Sequence, residues 1–180
     1  PKSDVTVLLI TFFLTVIFDL TVAIEVGLLI ACVLFMKRVM ETTDISVIKN
    51  EIDPNNESDL EVHEEHLMVP EGVEVYEING PYFFGIATKF EEIMSELGDR
   101  PKVRIIRMRK VPFIDSTGIH NLTNLCEMSK KENIHIVLSG VNEKVHKVLE
   151  KAGFYDLLGE DNICPNINVA LEKAKAIVEK

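Results

Sequence analysis

Residues 5–36 read VTVLLITFFLTVIFDLTVAIEVGLLIACVLFM, with Asp19 and Glu25 as the only charges. As one helix this run would reach about 48 Å, well beyond the ~30 Å hydrocarbon thickness of a bilayer. Asp19-Leu20-Thr21 interrupts it near the middle. The pattern therefore predicts a transmembrane α-helical hairpin, with one helix near 5–18 and another near 22–36. Arms of about 21–23 Å are short for solitary spans, so they are expected to pack against the helices of a larger membrane protein. The run is too long for a secretory signal and lacks both the basic start and the small-residue cleavage site. Lys37-Arg38 follows the second arm, and basic residues flanking a span favour the cytoplasmic side. Residues 39–180 are expected there, with Lys2 on the same side. The first residue is Pro rather than Met, which fits the tail of a longer polypeptide.

Asp19 and Glu25 are intramembrane acids, and such groups are costly enough to raise a functional hypothesis. Asp19 sits where it would cap the second arm. Glu25 falls one turn further in, where it would pair with a helix outside this chain or reach a water-filled cavity.

The net charge of −10 is local. Residues 41–70 hold nine acids against Lys49 alone, whereas residues 71–180 hold 17 acids and 15 bases. The acidic stretch, with its turn-rich Asp53-to-Asp59 segment, reads as a linker and tether. No basic face of the kind a nucleic acid requires is evident. Arg104, Arg107, Arg109 and Lys110 form the one basic cluster, expected to be a solvated strand end or a membrane-facing patch. Cys32, Cys126 and Cys164 show no paired spacing and read as small buried hydrophobes. His63 and His66 stand among glutamates but depart from the H-E-x-x-H spacing, so no metal is expected.

From Gly72 onward, strands alternate with helices. Val73–Ile78 alternates with period two, and Asn79-Gly80-Pro81 marks a turn before a strand starting at Tyr82-Phe83-Phe84. Phe90, Ile93, Met94 and Leu97 recur at helical spacing, ended by Gly98. Val103–Met108 and Ile134–Leu138 read as strands. Helices are expected over Ile119–Met128, after Asn142 with Gly153 at its end, and from Asn166 or Asn168 with Ala170, Leu171 and Ala174 on one face. Ile45–Ile48 reads as a short edge strand. His120, His135 and His146 are scattered, one per element. No phosphate loop, dinucleotide fingerprint or Ser-His-Asp order appears, so neither enzyme nor cofactor is expected.

Val111-Pro112-Phe113-Ile114-Asp115-Ser116-Thr117-Gly118 lies between the third strand and its helix. Two hydroxyls, a carboxylate and a flexible glycine there can serve a helix cap, an anion or a phosphorylation site. Three segments together resemble the STAS domain of SulP-type sulfate permeases: Asn79-to-Gly85, Val111-to-Gly118 and Phe154-to-Gly159. The run Phe18-to-Gly27 is similar to the last membrane hairpin of those permeases. The resemblance implies an α/β STAS domain, a mixed sheet with helices packed on it, preceded by a transmembrane α-helical hairpin. The implied division is 1–38 hairpin, 39–70 acidic linker with the edge strand, and 71–180 STAS domain.

By the same resemblance, the chain is the C-terminal fragment of a secondary transporter of sulfate-type anions, an integral membrane protein working as a homodimer. Its implied partners are membrane lipid, upstream transporter helices and a cytoplasmic regulatory protein. Substrate residues would lie upstream, so none is assigned here. A different class is also open: a phospho-switch protein resembling anti-sigma factor antagonists, controlled at Ser116. Ser116 and Thr117, with Asp115 and Gly118, are thus candidate phosphoacceptor or helix-cap residues. A nucleotide or metabolite at the same helix start is a third alternative.

Overall fold

The computed structural model describes residues 2–42, 44–48, 51–52, 67–83, 93 and 100–179. They form two compact units, Pro1–Thr42 and Thr43–Lys180.

The first unit is a pair of helices, α1 (Lys2–Ile17) and α2 (Leu20–Thr42). The chain reverses at Asp19, whose Oδ1 accepts from the Thr21 amide at 2.8 Å. Its carbonyl accepts from Ala23 at 3.1 Å, the first helical bond of α2. The buried small residues Ala23 and Gly27 let the two backbones approach closely. A Cβ at Gly27 would stand 2.7 Å from Thr11 Oγ1. The Thr11 and Thr15 hydroxyls each donate to a carbonyl one turn back, at 2.8 Å, so neither requires water.

The second arm is longer than the sequence pattern suggested. Lys37-Arg38-Val39 ends the apolar run without breaking the helix, since neither Pro nor Gly occurs there. At 23 residues α2 is about 34 Å long, enough to cross a bilayer by itself. Leu20–Val39 has mean hydropathy 2.2, while the apolar part of α1, Val5–Ile17, is shorter than a full span. Leu8, Phe12, Ile17, Leu28 and Phe35 are all more than half exposed on this unit. Apolar surface all round a helix pair is the pattern of a membrane segment. Cys32 is also exposed there, unlike the buried position expected of it.

The second unit is built on a five-stranded sheet of order β1-β4-β5-β6-β7. These strands are β1 (Asp44–Ile48), β4 (Val73–Asn79), β5 (Val103–Arg107), β6 (His135–Ser139) and β7 (Ile163–Cys164). β1 runs antiparallel to β4, and the other neighbours are parallel. β2 (Glu51–Ile52) and β3 (Leu67–Met68) pair separately as a small antiparallel ribbon. The helices are α3 (Ser116–Lys131), α4 (Glu143–Lys151), α5 (Phe154–Leu158) and α6 (Ile167–Val178).

Both sheet faces are covered, which is why the central strands are nearly continuous apolar runs. Tyr76, Ile78, Ile106, Ile136 and Leu138 pack against Leu122, Leu125, Val145, Leu149 and Phe154 of α3, α4 and α5. On the other face Val73, Val75, Val103, Ile105 and Val137 meet Ile167, Ala170, Leu171 and Ala174 of α6. Asn142 and Asn166 cap α4 and α6 by accepting from Val145 and Val169, each at 3.0 Å.

The basic cluster is not uniformly solvated. Strand alternation turns Arg104 to one face and Arg107 to the other, and both are buried. Arg104 Nη1 donates to Ser129 Oγ at 3.4 Å, beside Glu74, which accepts from the Tyr76 hydroxyl at 2.7 Å. Arg107 lies 3.6 Å from Glu77 Oε1, which Lys110 also approaches at 3.5 Å. Only Arg109 and Lys110 are exposed.

Of the strand expected from Tyr82, Phe84 onward lies outside the described residues, and Tyr82 itself makes one isolated parallel bridge to Ile114. The helix expected around Phe90 to Gly98, apart from Ile93, lies outside the described residues. So do His63, His66 and the stretch from Asp53 to Glu65.

Candidate functional site

The Asp115-Ser116-Thr117-Gly118 turn stands beyond the carboxyl ends of the parallel strands, where α/β sheets place their ligands. Three attachments hold the loop that carries it. Gly80 N–H donates to Lys110 O at 3.3 Å, Tyr82 N–H to Phe113 O at 3.0 Å, and Asp115 N–H to Tyr82 O at 3.3 Å. From the other side the Asn142 amide donates to Val111 O, so the residue that caps α4 also fixes this loop. Phe83 and Phe113 stack with ring centroids 6.4 Å apart, leaving Phe113 52% exposed beside the turn. Pro112 is exposed next to it.

The cap of α3 is Asp115, not either hydroxyl. Its extended backbone precedes the helix, and Oδ1 accepts from Gly118 N–H at 2.7 Å. Ser116 and Thr117 are the first two helical residues, and both are exposed. A carboxylate outcompetes a neutral hydroxyl there because it also meets the positive end of the helix dipole. The hydroxyls are thereby left on the surface.

Gly118 has a different use from the flexibility expected of it. It is a helical, buried residue and is not among the positive-φ glycines. A Cβ there would collide with the Tyr82 carbonyl oxygen and stand 2.9 Å from both Ile114 Cγ1 and Tyr82 Cδ1. Glycine is required because the helix start and the Tyr82 backbone touch.

The groups around the turn are chemically quiet. Burial raises the Tyr82 phenol well above its ordinary range. Burial, aided by nearby Glu127, pushes the Cys126 thiol up to about 12, so it is a protonated apolar wall at neutral pH. His120, His135 and His146 are exposed, and the His146 ring lies edge-on to Tyr155 at 4.9 Å. Among the described residues no three His, Cys, Asp or Glu side chains are grouped to hold a metal ion. Asp19 and Glu25 belong to the other unit, both exposed, Asp19 at the hairpin turn and Glu25 one turn into α2. Sequence reasoning missed Tyr82 and Asn142 as the residues that lock the loop. The Asn79-Gly80-Pro81 turn was the available signal for the first, and the cap position of Asn142 for the second.

Residues 66–170 match the family model described as the STAS domain. A putative sulfate transporter of Bacillus subtilis, YvdB, is 29% identical over 168 residues, covering 89% of this chain and 28% of the relative. The chain therefore spans little more than a quarter of that relative. The crystal structure of a sulfate transporter family protein from Wolinella succinogenes is 43% identical, with TM-score 0.61 over 63% of this chain and 93% of that one. The structure of the murine Solute Carrier 26 family member A9 anion transporter has TM-score 0.73 at 19% identity, covering 98% of this chain and 29% of that one. At that identity the likeness shows fold alone, for nearly the whole length of this chain.

Proposed function

The chain belongs to the STAS domain family, and on that premise we propose that it forms the C-terminal, cytoplasmic end of a secondary transporter of sulfate-type anions. In this reading α1 and α2 are the last membrane hairpin, and the Thr43–Lys180 unit is carried beneath the membrane. The observation that carries it is the order of the parts: an apolar hairpin followed by a STAS domain in one chain, aligned as one stretch with the Bacillus relative. A free-standing phospho-switch protein would have no use for about 32 apolar residues. The fragment acts as scaffold and regulator, with the anion held between helices upstream, where half-helix N-termini can face it. The transporter works as a homodimer.

The turn at Ser116 is the regulatory surface within this reading. Ser116 is exposed at the first helical position, beside a carboxylate already committed to capping. A phosphoryl group there would gain from the helix dipole but repel the adjacent Asp115. That conflict would loosen a cap that also anchors the Tyr82 and Phe113 contacts, altering the surface a cytoplasmic partner meets.

Uptake of radiolabelled sulfate tests both parts. Cells lacking sulfate uptake should regain it when they express the complete polypeptide containing this chain. Ser116→Glu should change the uptake rate while Ser116→Ala leaves basal uptake intact. No uptake of sulfate or of other small anions would refute the transporter reading. Uptake unaffected by both substitutions would refute the switch alone.

A further inference from the structure

At the amino end of β6, opposite the Ser116 turn, lies a cavity of about 310 Å³. It opens between the last turn of α3, the start of β6, and the α5 segment with its following turn. Its apolar side is made by Cys126, Ile134, Ile136, Leu157 and Leu158, of which the first three are buried. Lys130, Asn133 and His135 supply polar groups at its edge. Among the described residues no acid lines this cavity.

The Lys130 ammonium has no ion-pair or hydrogen-bond partner among the described residues, and neither has the His135 imidazole. Two donors without a partner among the described residues, at the edge of a solvent-open pocket with an apolar floor, form the pattern of a ligand site with an orienting polar end. The nearby end of α3 would ordinarily disfavour an anion. Here three of the last four carbonyls are already occupied. Met128 and Ser129 O accept from Glu132, Ser129 O also accepts from Ile134, and Lys130 O accepts from Asn133, at 2.8–3.2 Å. Lys130 itself offsets what remains of the dipole.

We propose that this cavity binds a small organic anion, a monocarboxylate with an apolar body. The carboxylate meets Lys130 and His135, and the hydrocarbon part rests on Ile134, Ile136 and Leu158. Binding here is independent of the transport reading, because the site lies wholly within the STAS unit and away from the Ser116 turn.

The test is a titration of the full chain in lipid nanodiscs, with its isoleucine methyls isotopically labelled and followed by NMR. The probes are hexanoate and, as the uncharged counterpart, hexan-1-ol. Hexanoate should shift the Ile134 and Ile136 methyls saturably. Hexan-1-ol on the native chain, and hexanoate on Lys130→Gln, should each bind roughly ten-fold more weakly, as expected for loss of a charge-assisted contact. Lys130 is exposed, so its replacement leaves the fold intact. Absence of saturable shifts at these two methyls would overturn the proposal. Equal binding of the alcohol, or unchanged affinity in Lys130→Gln, would overturn it too.

Discussion

Replacing Gly118 by alanine sets two effects of opposite sign against each other. In a helix the change from Gly to Ala is worth about 1 kcal/mol in favour of alanine. At this position the new methyl would collide with the Tyr82 carbonyl and stand 2.9 Å from Ile114 Cγ1 and Tyr82 Cδ1. Its first obstacle is backbone, which cannot rotate away. Relief requires the start of α3 to move off residues 80–82. Overpacking of this kind costs about 1–3 kcal/mol. The same movement stretches the Asp115 N–H bond to Tyr82 O, already 3.3 Å, whose loss adds about 1 kcal/mol. The net expectation is destabilisation by roughly 2 kcal/mol, or a melting temperature lower by roughly 5–10 °C for a unit of this size. Calorimetry of the full chain in nanodiscs reads the temperature. Hydrogen exchange at the β5 amides shows whether the loss belongs to the STAS unit. If Gly118→Ala melts at the native temperature or above, helix propensity has won and the close approach is refuted.

Asp115→Ala should destabilise the same unit by about 1 kcal/mol and Asp115→Asn by less, while Ser116→Ala and Thr117→Ala stay within about 0.5 kcal/mol in urea titrations. A large loss in Ser116→Ala would return the cap to the hydroxyl. All three tyrosines are buried with raised pKa values, that of Tyr155 to about 12 and those of Tyr76 and Tyr82 higher, with desolvation the leading cause. Their contribution to stability is complete below about pH 10, the unfolded phenol value, and falls as pH rises toward 12 and beyond. Tyrosinate absorbance should therefore appear only with cooperative alkaline unfolding, and smooth titration near pH 10 would contradict the burial. A double-mutant cycle of Glu77→Met and Arg107→Met should give a favourable coupling of about 1–3 kcal/mol in urea titrations, since Arg107 is buried and its distance to Glu77 is 3.6 Å. Zero coupling would make that pair incidental.

Elements with strong periodicity were legible in the sequence. Val73–Ile78 announced β4 by its alternation, and Asn142 and Gly153 bracketed α4 because cap chemistry is local. β7 was not legible, since two residues carry no period and the strand they pair with, β6, lies more than twenty residues earlier. The buried state of Arg104 and Arg107 was equally hidden, because charge in a strand reads as exposure until partners on neighbouring elements are known. Within the candidate site, the tetrapeptide and its place at a helix start could be read directly. Which oxygen caps, and why position 118 must lack a Cβ, could not. Both depend on Tyr82, more than thirty residues earlier in the chain.

The central claim is testable at the membrane: a STAS unit on the cytoplasmic side of a membrane hairpin. Labelling of an exposed cysteine, Lys147→Cys, with a membrane-impermeant maleimide tests that most directly. Cys126 and Cys164 are buried, and Cys32 can be replaced by serine to remove the exposed native thiol. The prediction is labelling in inverted membrane vesicles and none in intact cells. Labelling in intact cells, or release of the chain from washed membranes, would contradict it.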